Sequence, residues 1–398
     1  FMYCRQIAPI YPVHLHNADG SYRLDGFGNK QYDSGYYTND AGIDIQTRNQ
    51  YSDRHVIWEN ELNQDKTVRN TLQGIAYADI KFLVDFTFTL KGDLNVRNSE
   101  NSTYNNATIG DGKGSSGRSQ RDIYRYKNYT FQQQLRWNHA FGKHMLDVLA
   151  GHESYSYNYD NLYAFKTTEV FEGKTNLSNF TEMNTLTGYE TNYKTESYLG
   201  RVRYNYADKY NLEVSFRRDG SSRFYKNNRW GNFGSIGANW LISEEEFMKS
   251  LTVVDQLKLR ANYGQVGNDA GAGYYGYMAL YAGSQNANAG AYYLTQNEAL
   301  NLKWETGESF GFALEGRLFN RLNFSVEYFD KRNKDLLFDV YLPLSAGATS
   351  TSSAEATIAK NLGTISNRGL EVNANVDVYM SKKWLVNLGT NISLVKNK

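Results

Sequence analysis

The most regular feature of the chain is an alternation of apolar and polar residues with a period of two. Between 370 and 378, leucine, valine or alanine occupies every second position, and acidic or amide residues occupy the positions between them. The same phase recurs in the segments 82–90, 198–206, 210–217 and 322–328. Because successive side chains of a strand point to opposite faces of the sheet, this pattern predicts strands with one apolar and one polar face.

Alternation and turn residues together predict about twelve strands. They are expected near 69–80, 84–97, 122–140, 145–160, 195–207, 210–219, 229–242, 256–267, 306–319, 321–337, 367–379 and 384–395.

The connections between these strands fall into two classes that alternate along the chain. Short turns are expected at 141–144, 207–209, 320–321 and 381–383. Long polar loops are expected at 98–121, 161–194, 268–304 and 339–366. A transmembrane barrel has short periplasmic turns and long extracellular loops, whereas a soluble sandwich has no reason to sort its loops in this way. The sequence therefore predicts an all-β fold, an antiparallel transmembrane β-barrel.

Two segments lack sustained alternation. Residues 1–68 carry Pro9, Pro12 and many Gly, Asp and Asn residues, which is typical of a long extracellular loop of the barrel domain. Residues 69–398 then form the strands of the same domain. Near the turn at 243–251, Ser243 and Glu246 have the spacing of a capping box, which predicts one short helix there.

Composition agrees with an all-β protein and narrows its class. The 33 Tyr and 34 Gly against only 3 Pro favour pleated strands, and the formal charge of +1 gives no reason to expect nucleic acid as a partner. Cys4 is the only cysteine, so neither an intrachain disulfide nor a CxxC zinc site is expected. The mean hydropathy of −0.64 does not exclude a barrel, because alternating strands and polar loops dilute the apolar residues.

Aromatic residues and the amino terminus add two weaker indications. Tyr155, Tyr157, Tyr159, Tyr379 and Trp384 stand where predicted strands approach their ends, where amphipathic rings would lie at the lipid headgroups. Residues 1–4 do not resemble a secretion leader, so we expect the sequence to begin inside a longer protein.

Several strings of residues resemble one known family. They are APIYP at 8–12, SYLGRVRYNYADKYNLEVSFRRDGSSRF at 197–224, NWLISEEEFM at 239–248, LKLRANYGQVGN at 257–268, FSVEYFDKRNKDLL at 324–337 and ISNRGLEVNANV at 365–376. In this order, over nearly the whole chain, they resemble the SusC/RagA family of TonB-linked outer-membrane proteins. One departure is Gly234-Ser235, where the family pattern suggests Pro-Ser.

The resemblance implies a barrel of about 22 strands with an internal plug domain, of which this chain would be the middle part of the barrel, without the plug. It implies a protein of the bacterial outer membrane, surrounded by lipid and lipopolysaccharide. A SusD-like surface lipoprotein would act as a lid, and the TonB–ExbB–ExbD system would act through the absent plug. The implied function is active import of an oligomeric nutrient, a glycan or a peptide. No enzyme activity is expected.

The segment 217–224 offers the best candidate contacts for a ligand. Asp219-Gly220 favours a tight turn at the outer rim, and Arg217, Arg218 and Arg223 could pair with carboxylates that line the lumen. We therefore take Arg217, Arg218, Asp219 and Arg223 as candidate ligand or lumen contacts. The serines of this segment could suggest an outer-membrane barrel hydrolase, but no histidine lies near them in sequence and we name no catalytic residue.

Three other motifs suggest binding chemistry less specifically. Gly110–Ser115 resembles a phosphate loop, but it lacks the G-x-x-x-x-G-K-[ST] spacing. His14 and His16 stand two positions apart, as metal ligands on a strand would, but no third ligand can be named. Residues 17–20 leave a loop-bound Ca²⁺ possible, although no cofactor is expected. A soluble or surface-attached β-rich glycan-binding protein or adhesin stays the main alternative function.

Overall fold

The computed structural model describes residues 10–39, 41–343, 345 and 357–398. Three predicted features lie wholly or partly outside the described residues. They are Cys4, the first two residues of the string APIYP and part of the loop predicted at 339–366. The short elements near the start are β1 (Tyr36–Thr38), β2 (Asp44–Gln46) and helix α1 (Val56–Leu62). The strands that follow are β3 (Gln64–Phe82), β4 (Phe86–Asn105), β5 (Arg118–Phe141), β6 (His144–Glu169), β7 (Phe180–Tyr206), β8 (Tyr210–Ser221), β9 (Trp230–Leu241), β10 (Val254–Asn268), β11 (Leu280–Asn286), β12 (Ala289–Gln296), β13 (Glu305–Leu318), β14 (Leu322–Lys334), β15 (Leu337–Tyr341), β16 (Thr357–Asn361), β17 (Thr364–Met380) and β18 (Leu385–Asn397).

In the described part of the chain, twelve strands form one large sheet, and the predicted all-β fold is confirmed. Its order is β18-β17-β14-β13-β10-β9-β8-β7-β6-β5-β4-β3, so each strand lies beside the one that precedes it in the chain once the hairpins β11–β12 and β15–β16 are set aside. The pairs from β7 to β18 are antiparallel. Among the described residues, no helix is both long enough and apolar enough to cross a bilayer.

Tight hairpin turns join many of the strands at one edge. Ala207 and Asp208 both have positive φ (52° and 58°), and so do Phe319 and Asn320 (57° and 52°). Two successive positive φ values give the turn a twist that matches the twist of the flanking strands. A third such turn, at Leu83 and Val84, lies inside the alternating segment 82–90, slightly later than the break expected between the strands at 69–80 and 84–97. The rings of Phe82 and Phe86 lie side by side, with centroids 5.4 Å apart. The turn therefore leaves both rings on the same face, and the alternation in the sequence is not interrupted there.

The strands extend further into the predicted long loops than expected. β4 ends at Asn105 and β5 begins at Arg118, and only residues 170–179 separate β6 from β7 where a loop over 161–194 was predicted. These strand ends carry polar residues on both faces, so backbone pairing continues after the alternation has stopped. Alternation marks where one face is apolar and does not mark where the hydrogen-bonded ladder ends.

The single helix predicted at 243–251 is wrong. The chain forms two short 3₁₀ turns there, Ile242–Glu244 and Glu246–Met248, and Glu245 between them is extended. The Glu245 carboxylate accepts hydrogen bonds from the Tyr210 hydroxyl (2.6 Å) and from the Trp240 indole (3.2 Å). These bonds fix the segment to the strand ends, so the capping box does not form. The structure also contains α1, which was missed because its N-cap is His55, an uncommon capping residue.

The described chain consists of two compact units. The first comprises the residues up to Gln73 with Asn95–Lys127 and Asn158–Thr191, and the second comprises Gly74–Leu94, Asn128–Tyr157 and Asn192–Lys398. In the first unit, Tyr104, Ile109 and Phe180 are fully buried. In the second, Phe224, Ala272 and Leu302 form a small buried cluster.

The second unit sorts its residues by face across many strands in register. One row is apolar and consists of Tyr210, Trp240, Leu259, Leu314, Val326, Val372 and Ile392. The adjacent row on the opposite face is polar apart from one alanine and consists of Asn205, Asn211, Asn239, Arg260, Ala313, Glu327, Glu371 and Ser393. Large side chains of the apolar face are exposed, for example Phe216 at 52%. An exposed apolar face of this size is a membrane or partner surface.

A belt of aromatic rings follows the apolar face at the edge with the short turns. Successive ring centroids are 4.8 to 6.3 Å apart. The rings belong to Phe82, Phe86, Trp137, His139, Phe141, His144, Tyr206, Tyr210 and Trp240. Tyr155, Tyr157 and Tyr159 do not belong to it. They alternate in phase with Glu153, which contacts the polar face, so their predicted place at lipid headgroups is wrong.

Candidate ligand-contacting surface

Arg217 and Asp219 lie together on the polar face of β8. The Arg217 Nε donates to Asp219 Oδ1 (2.6 Å), and its Nη2 donates to Glu153 Oε1 (3.2 Å) and Ser197 Oγ (3.0 Å). The guanidinium therefore links β6, β7 and β8 on this face. Its side chain stays 42% exposed, so it can still contact a ligand.

Arg218 lies on the opposite face, because adjacent strand residues point in opposite directions. It shares that face with Phe216, and its guanidinium is 5.2 Å from the centre of the Trp230 ring. The structure thus separates Arg218 from Arg217 and Asp219. The strand phase already contained this information, since Leu212, Val214 and Phe216 place position 218 on the apolar face.

Arg223 lies between two tyrosine rings at the loop end of β8. Its guanidinium carbon is 4.7 Å from the ring centres of both Tyr193 and Tyr274. Its Nη1 donates to the backbone oxygens of Asp269 (3.1 Å) and Ala270 (2.8 Å). Arg223 therefore attaches the segment after β10 to the middle of β7.

Asp269 completes the attachment of this segment. Its Oδ2 accepts hydrogen bonds from the Tyr193 hydroxyl (2.8 Å) and from Ser221 Oγ (2.6 Å). One carboxylate thereby joins the middle of β7 to the ends of β8 and β10. Arg223 and Asp269 have side chains that are only 13% and 15% exposed, which indicates an anchor more than a contact for ligand.

Four tyrosines surround this anchor and form a wall of rings on the polar face. Tyr155 meets Tyr193 edge to face at 6.0 Å, and Tyr157 stacks on Tyr274 at 5.9 Å with only 7° between the ring planes. Sequence reasoning missed the wall, although Tyr155 and Tyr157 alternate in phase with Glu153. Tyrosine rings with hydroxyls suit a sugar or a peptide, because they offer both apolar contact and hydrogen bonds.

A hollow of about 920 Å³ lies on the same polar face. It is lined by mixed charges and small polar groups, among them Glu213, Arg217, Asp219, Ser235, Asn262 and Lys331. Phe233 also lines it, is only 6% exposed and meets Trp304 edge to face at 5.6 Å. Convergent polar groups around an aromatic floor can hold a ligand by several modest contacts.

The serines of the 217–224 segment do not form a hydrolytic site. Ser221 Oγ donates to Asp269, and Ser222 Oγ accepts from the Lys194 backbone (3.0 Å). Within the described ranges, neither hydroxyl has a histidine among its hydrogen-bond partners, and no cluster of three potential metal ligands exists.

The remaining motifs have structural partners in the first unit. The Lys113 ammonium of the glycine-rich turn contacts Asp53 Oδ1 (2.5 Å) and the Tyr36 hydroxyl (2.7 Å). His14 and His16 pair with tyrosines on neighbouring segments. Asp19 Oδ1 accepts from the Ser21 hydroxyl (2.6 Å) and backbone (3.0 Å), which lowers the pKa of Asp19. Calcium binding at residues 17–20 stays a prediction.

Comparison with known proteins gives a consistent result. Residues 14–397 match the family described as TonB dependent receptor-like, beta-barrel. TonB-dependent receptor P39 of Formosa agariphila is 30% identical over 354 residues, which cover 85% of this chain and 32% of the relative. SusC of Bacteroides thetaiotaomicron is 28% identical over 286 residues, or 70% of this chain and 28% of the relative. The chain thus spans about a third of these relatives.

A solved structure gives the same fold. The RagAB peptide importer in its closed-closed state superposes with a TM-score of 0.77 at 22% identity, over 92% of this chain and 40% of that one. At this identity the likeness establishes the fold alone. The predicted resemblance to the SusC/RagA group is confirmed by the relatives and by this fold.

Proposed function

Since the chain belongs to the family of TonB-dependent receptor-like β-barrels, we propose that it forms barrel wall in an outer-membrane importer of the SusC type. The importer would take up an oligomeric nutrient, a glycan or a peptide. Binding would be noncovalent, and TonB, ExbB and ExbD would supply the energy through a plug domain.

The sorting of the two sheet faces is the observation that carries this proposal. The row from Tyr210 to Ile392 would face lipid, and the row from Asn205 to Ser393 would face the lumen and the plug. Side-chain hydrogen bonds cross the polar face between strands, for example Asn211 to Asn239 (2.9 Å) and Ser215 to Ser235 (2.6 Å). Such amides and hydroxyls would remain wetted and would offer exchangeable partners to a moving plug.

The nutrient would meet the tyrosine wall and the neighbouring hollow. Tyr155 and Tyr157 supply ring surface, while Arg217, Glu153 and Asp219 supply donors and acceptors within one network. A SusD-like surface lipoprotein would cover this loop end as a lid. The alternative of a soluble adhesin predicts a protein that leaves the cells without detergent.

Uptake by cells that carry the full-length protein tests the proposal. A strain lacking the gene would be complemented with the parent, with Tyr157→Ala or with Tyr198→Ala, and would receive fluorescent oligosaccharides and fluorescent peptides. Tyr198 is a matched control because it is a β7 tyrosine of the apolar face, beside Trp230. We expect TonB-dependent uptake of one ligand class, weakened about two- to tenfold by Tyr157→Ala alone, since one aromatic contact contributes about 0.5–1.5 kcal/mol.

Three results would contradict the proposal. Uptake that persists without TonB would remove the energy coupling. Extraction of the protein without detergent would favour the adhesin. Equal effects of the two tyrosine variants would mean that the polar face does not contact the nutrient.

A further inference from the structure

A charged cluster ends the apolar face at its loop end. It lies on β13, β14, β17 and β18 in the second unit. Asp330 is paired in register with Arg368, and Arg368 with Lys396, while Glu308 is paired with Arg332. By alternation, all of these residues continue the face of Phe312, Tyr328, Leu370 and Leu394.

The acidic members of the cluster lie beneath the basic ones. Asp330 binds Arg332 (2.6 Å) and Arg368 (3.1 Å) and has a side chain only 13% exposed, whereas the two arginines are 41% and 50% exposed. Glu308 binds Lys334 (2.7 Å), with exposures of 18% and 43%. Two covered carboxylates thus orient three exposed cations, and Lys396 is exposed beside Arg368. The outward surface is positive.

The apolar residues next to the cluster complete an amphipathic surface. Phe310, Phe312 and Tyr328 are 41–44% exposed, and they separate the charges from the apolar row at Val326. An amphiphile with a phosphate headgroup would place its phosphates on the guanidinium and ammonium groups and its acyl chains along these rings. Arginine forks match phosphate oxygens, and the low-dielectric neighbourhood strengthens the pairing.

We propose that Arg332, Lys334, Arg368 and Lys396 form a binding site for the phosphate headgroup of an outer-leaflet membrane amphiphile. The site would hold lipid against the outside of the barrel and would not contact the imported nutrient. It rests on the part of the proposed function that places the apolar face in lipid, and it goes beyond import.

Retention of a phosphate-bearing lipid by the full-length protein tests this site. The detergent-purified protein would be titrated with phosphatidic acid in mixed micelles, and bound lipids would be counted by native mass spectrometry. We expect Arg332→Gln with Arg368→Gln to weaken binding about tenfold or more, since each basic side chain near a membrane contributes about 1 kcal/mol. Lys331→Gln should leave binding unchanged, because Lys331 is the sequence neighbour of Arg332 on the polar face, over the Phe329 ring.

Further arms make the outcome decisive. Lys396→Gln alone should weaken binding of phosphatidic acid several-fold. This single variant replaces the double variant in the test if the double variant is misfolded, as judged by loss of its heat-modifiable mobility. Phosphatidylcholine in place of phosphatidic acid should be retained weakly and equally by all variants. Three outcomes would overturn the proposal. The parent and the variants could retain phosphatidic acid equally, Lys331→Gln could lose it as well, or millimolar inorganic phosphate could displace the lipid. Nutrient uptake by the arginine and Lys396 variants separates the two proposals, because loss of lipid with normal uptake supports this site. Absence of uptake by the parent protein would bear on import alone.

Discussion

The two faces of the sheet in the second unit carry side chains that interact in different ways. On the apolar face, Leu314, Val326 and Val372 are paired in register on neighbouring strands. Their side chains have no hydrogen-bonding groups. On the polar face, one position away, Arg260 binds Glu315 (3.1 Å) and Glu327 (2.9 Å). A one-residue change of register would exchange the two faces. The sorting of faces therefore fixes register as firmly as the turns do.

The first unit is held together differently. Its segments are joined by ion pairs such as Arg54 to Glu59 (3.0 Å), by hydrogen-bonded turns and by the cap of α1. These contacts involve carboxylates, a guanidinium group and a histidine, whereas the part of the apolar row from Leu259 to Ile392 carries no charged side chain. The two kinds of region should therefore respond differently to buried charge, to added volume and to pH.

The largest expected effect comes from placing a charge on the apolar face. Val372 pairs with Val326 and Ile392 in the middle of the apolar row, so Val372→Arg should destabilise the full-length barrel by about 2–4 kcal/mol. Asn373→Arg should be mild, because Asn373 lies on the polar face, 3.3 Å from Ser325. Val376 pairs with Leu322 at the short-turn edge, and Val376→Arg should cost less than Val372→Arg.

Heat-modifiable mobility in detergent, followed by refolding into lipid, measures this contrast. The three variants should rank with Val372→Arg the least stable and Asn373→Arg close to the parent. Equal tolerance of arginine at 372 and 373 would mean that the apolar face is not in lipid.

The second largest effect tests how tightly the side chains around the Phe233 ring are packed. An added Cβ at Gly267 would lie 2.1 Å from Cζ of Phe233, whereas one at Gly237 would have its nearest neighbour at 3.9 Å. Gly267→Ala should therefore cost about 1–3 kcal/mol through displacement of the buried ring, and Gly237→Ala should be nearly neutral. Urea midpoints of the refolded protein measure both. Equal midpoints would mean that the Phe233 ring moves freely and that the hollow is not rigid.

A third test concerns pH and the first unit. His55 Nδ1 accepts from the Trp58 backbone (3.1 Å) and its Nε2 lies 3.0 Å from the Val13 oxygen, so the capping ring must be neutral. Burial lowers the pKa of His55; the nearby Arg48 and His14 act in the same direction, and Asp33 opposes them. The contribution of the cap, about 0.5–2 kcal/mol, should be full above the unfolded pKa of about 6.5 and lost as the pH falls through the folded value.

Hydrogen exchange of the peptide 55–63 at pH 7.5 and pH 5 measures the loss of the His55 cap. After correction for the slower intrinsic amide exchange at pH 5, the protection factors of this peptide should fall at pH 5 in the parent and not in His55→Asn, because asparagine caps helices without titrating in this range. Peptides from β8 and β14 should show no such change between the two pH values. An equal response in those strands would remove the difference between the units.

The sequence predicted the strands where one face is apolar and failed where apolar and polar residues do not alternate. Positions 370–378 and 210–217 were assigned correctly, yet the ends of β6 and β7 were taken for loop because their polar residues do not alternate. The site was predicted only in part. Arg217 and Asp219 are neighbours on one strand, but the contact of Arg223 with Tyr274 joins residues far apart in the chain, through a loop whose course no local pattern determines.

The smallest stability effect, and the sharpest functional contrast, comes from the adjacent arginines of β8. Arg217→Met removes an exposed ion pair with Glu153 and Asp219, worth about 0–1 kcal/mol after solvent screening, and Arg218→Met removes only a surface contact with Trp230. Thermal stability should change little in either variant. Nutrient uptake should fall with Arg217→Met and stay near the parent with Arg218→Met, because only position 217 faces the hollow. Arg217→Lys should recover part of the uptake, since it restores the charge without the guanidinium fork that bridges three strands. If Arg218→Met impairs uptake as strongly as Arg217→Met, the division of the sheet into a lipid face and a ligand face does not extend to its outer end.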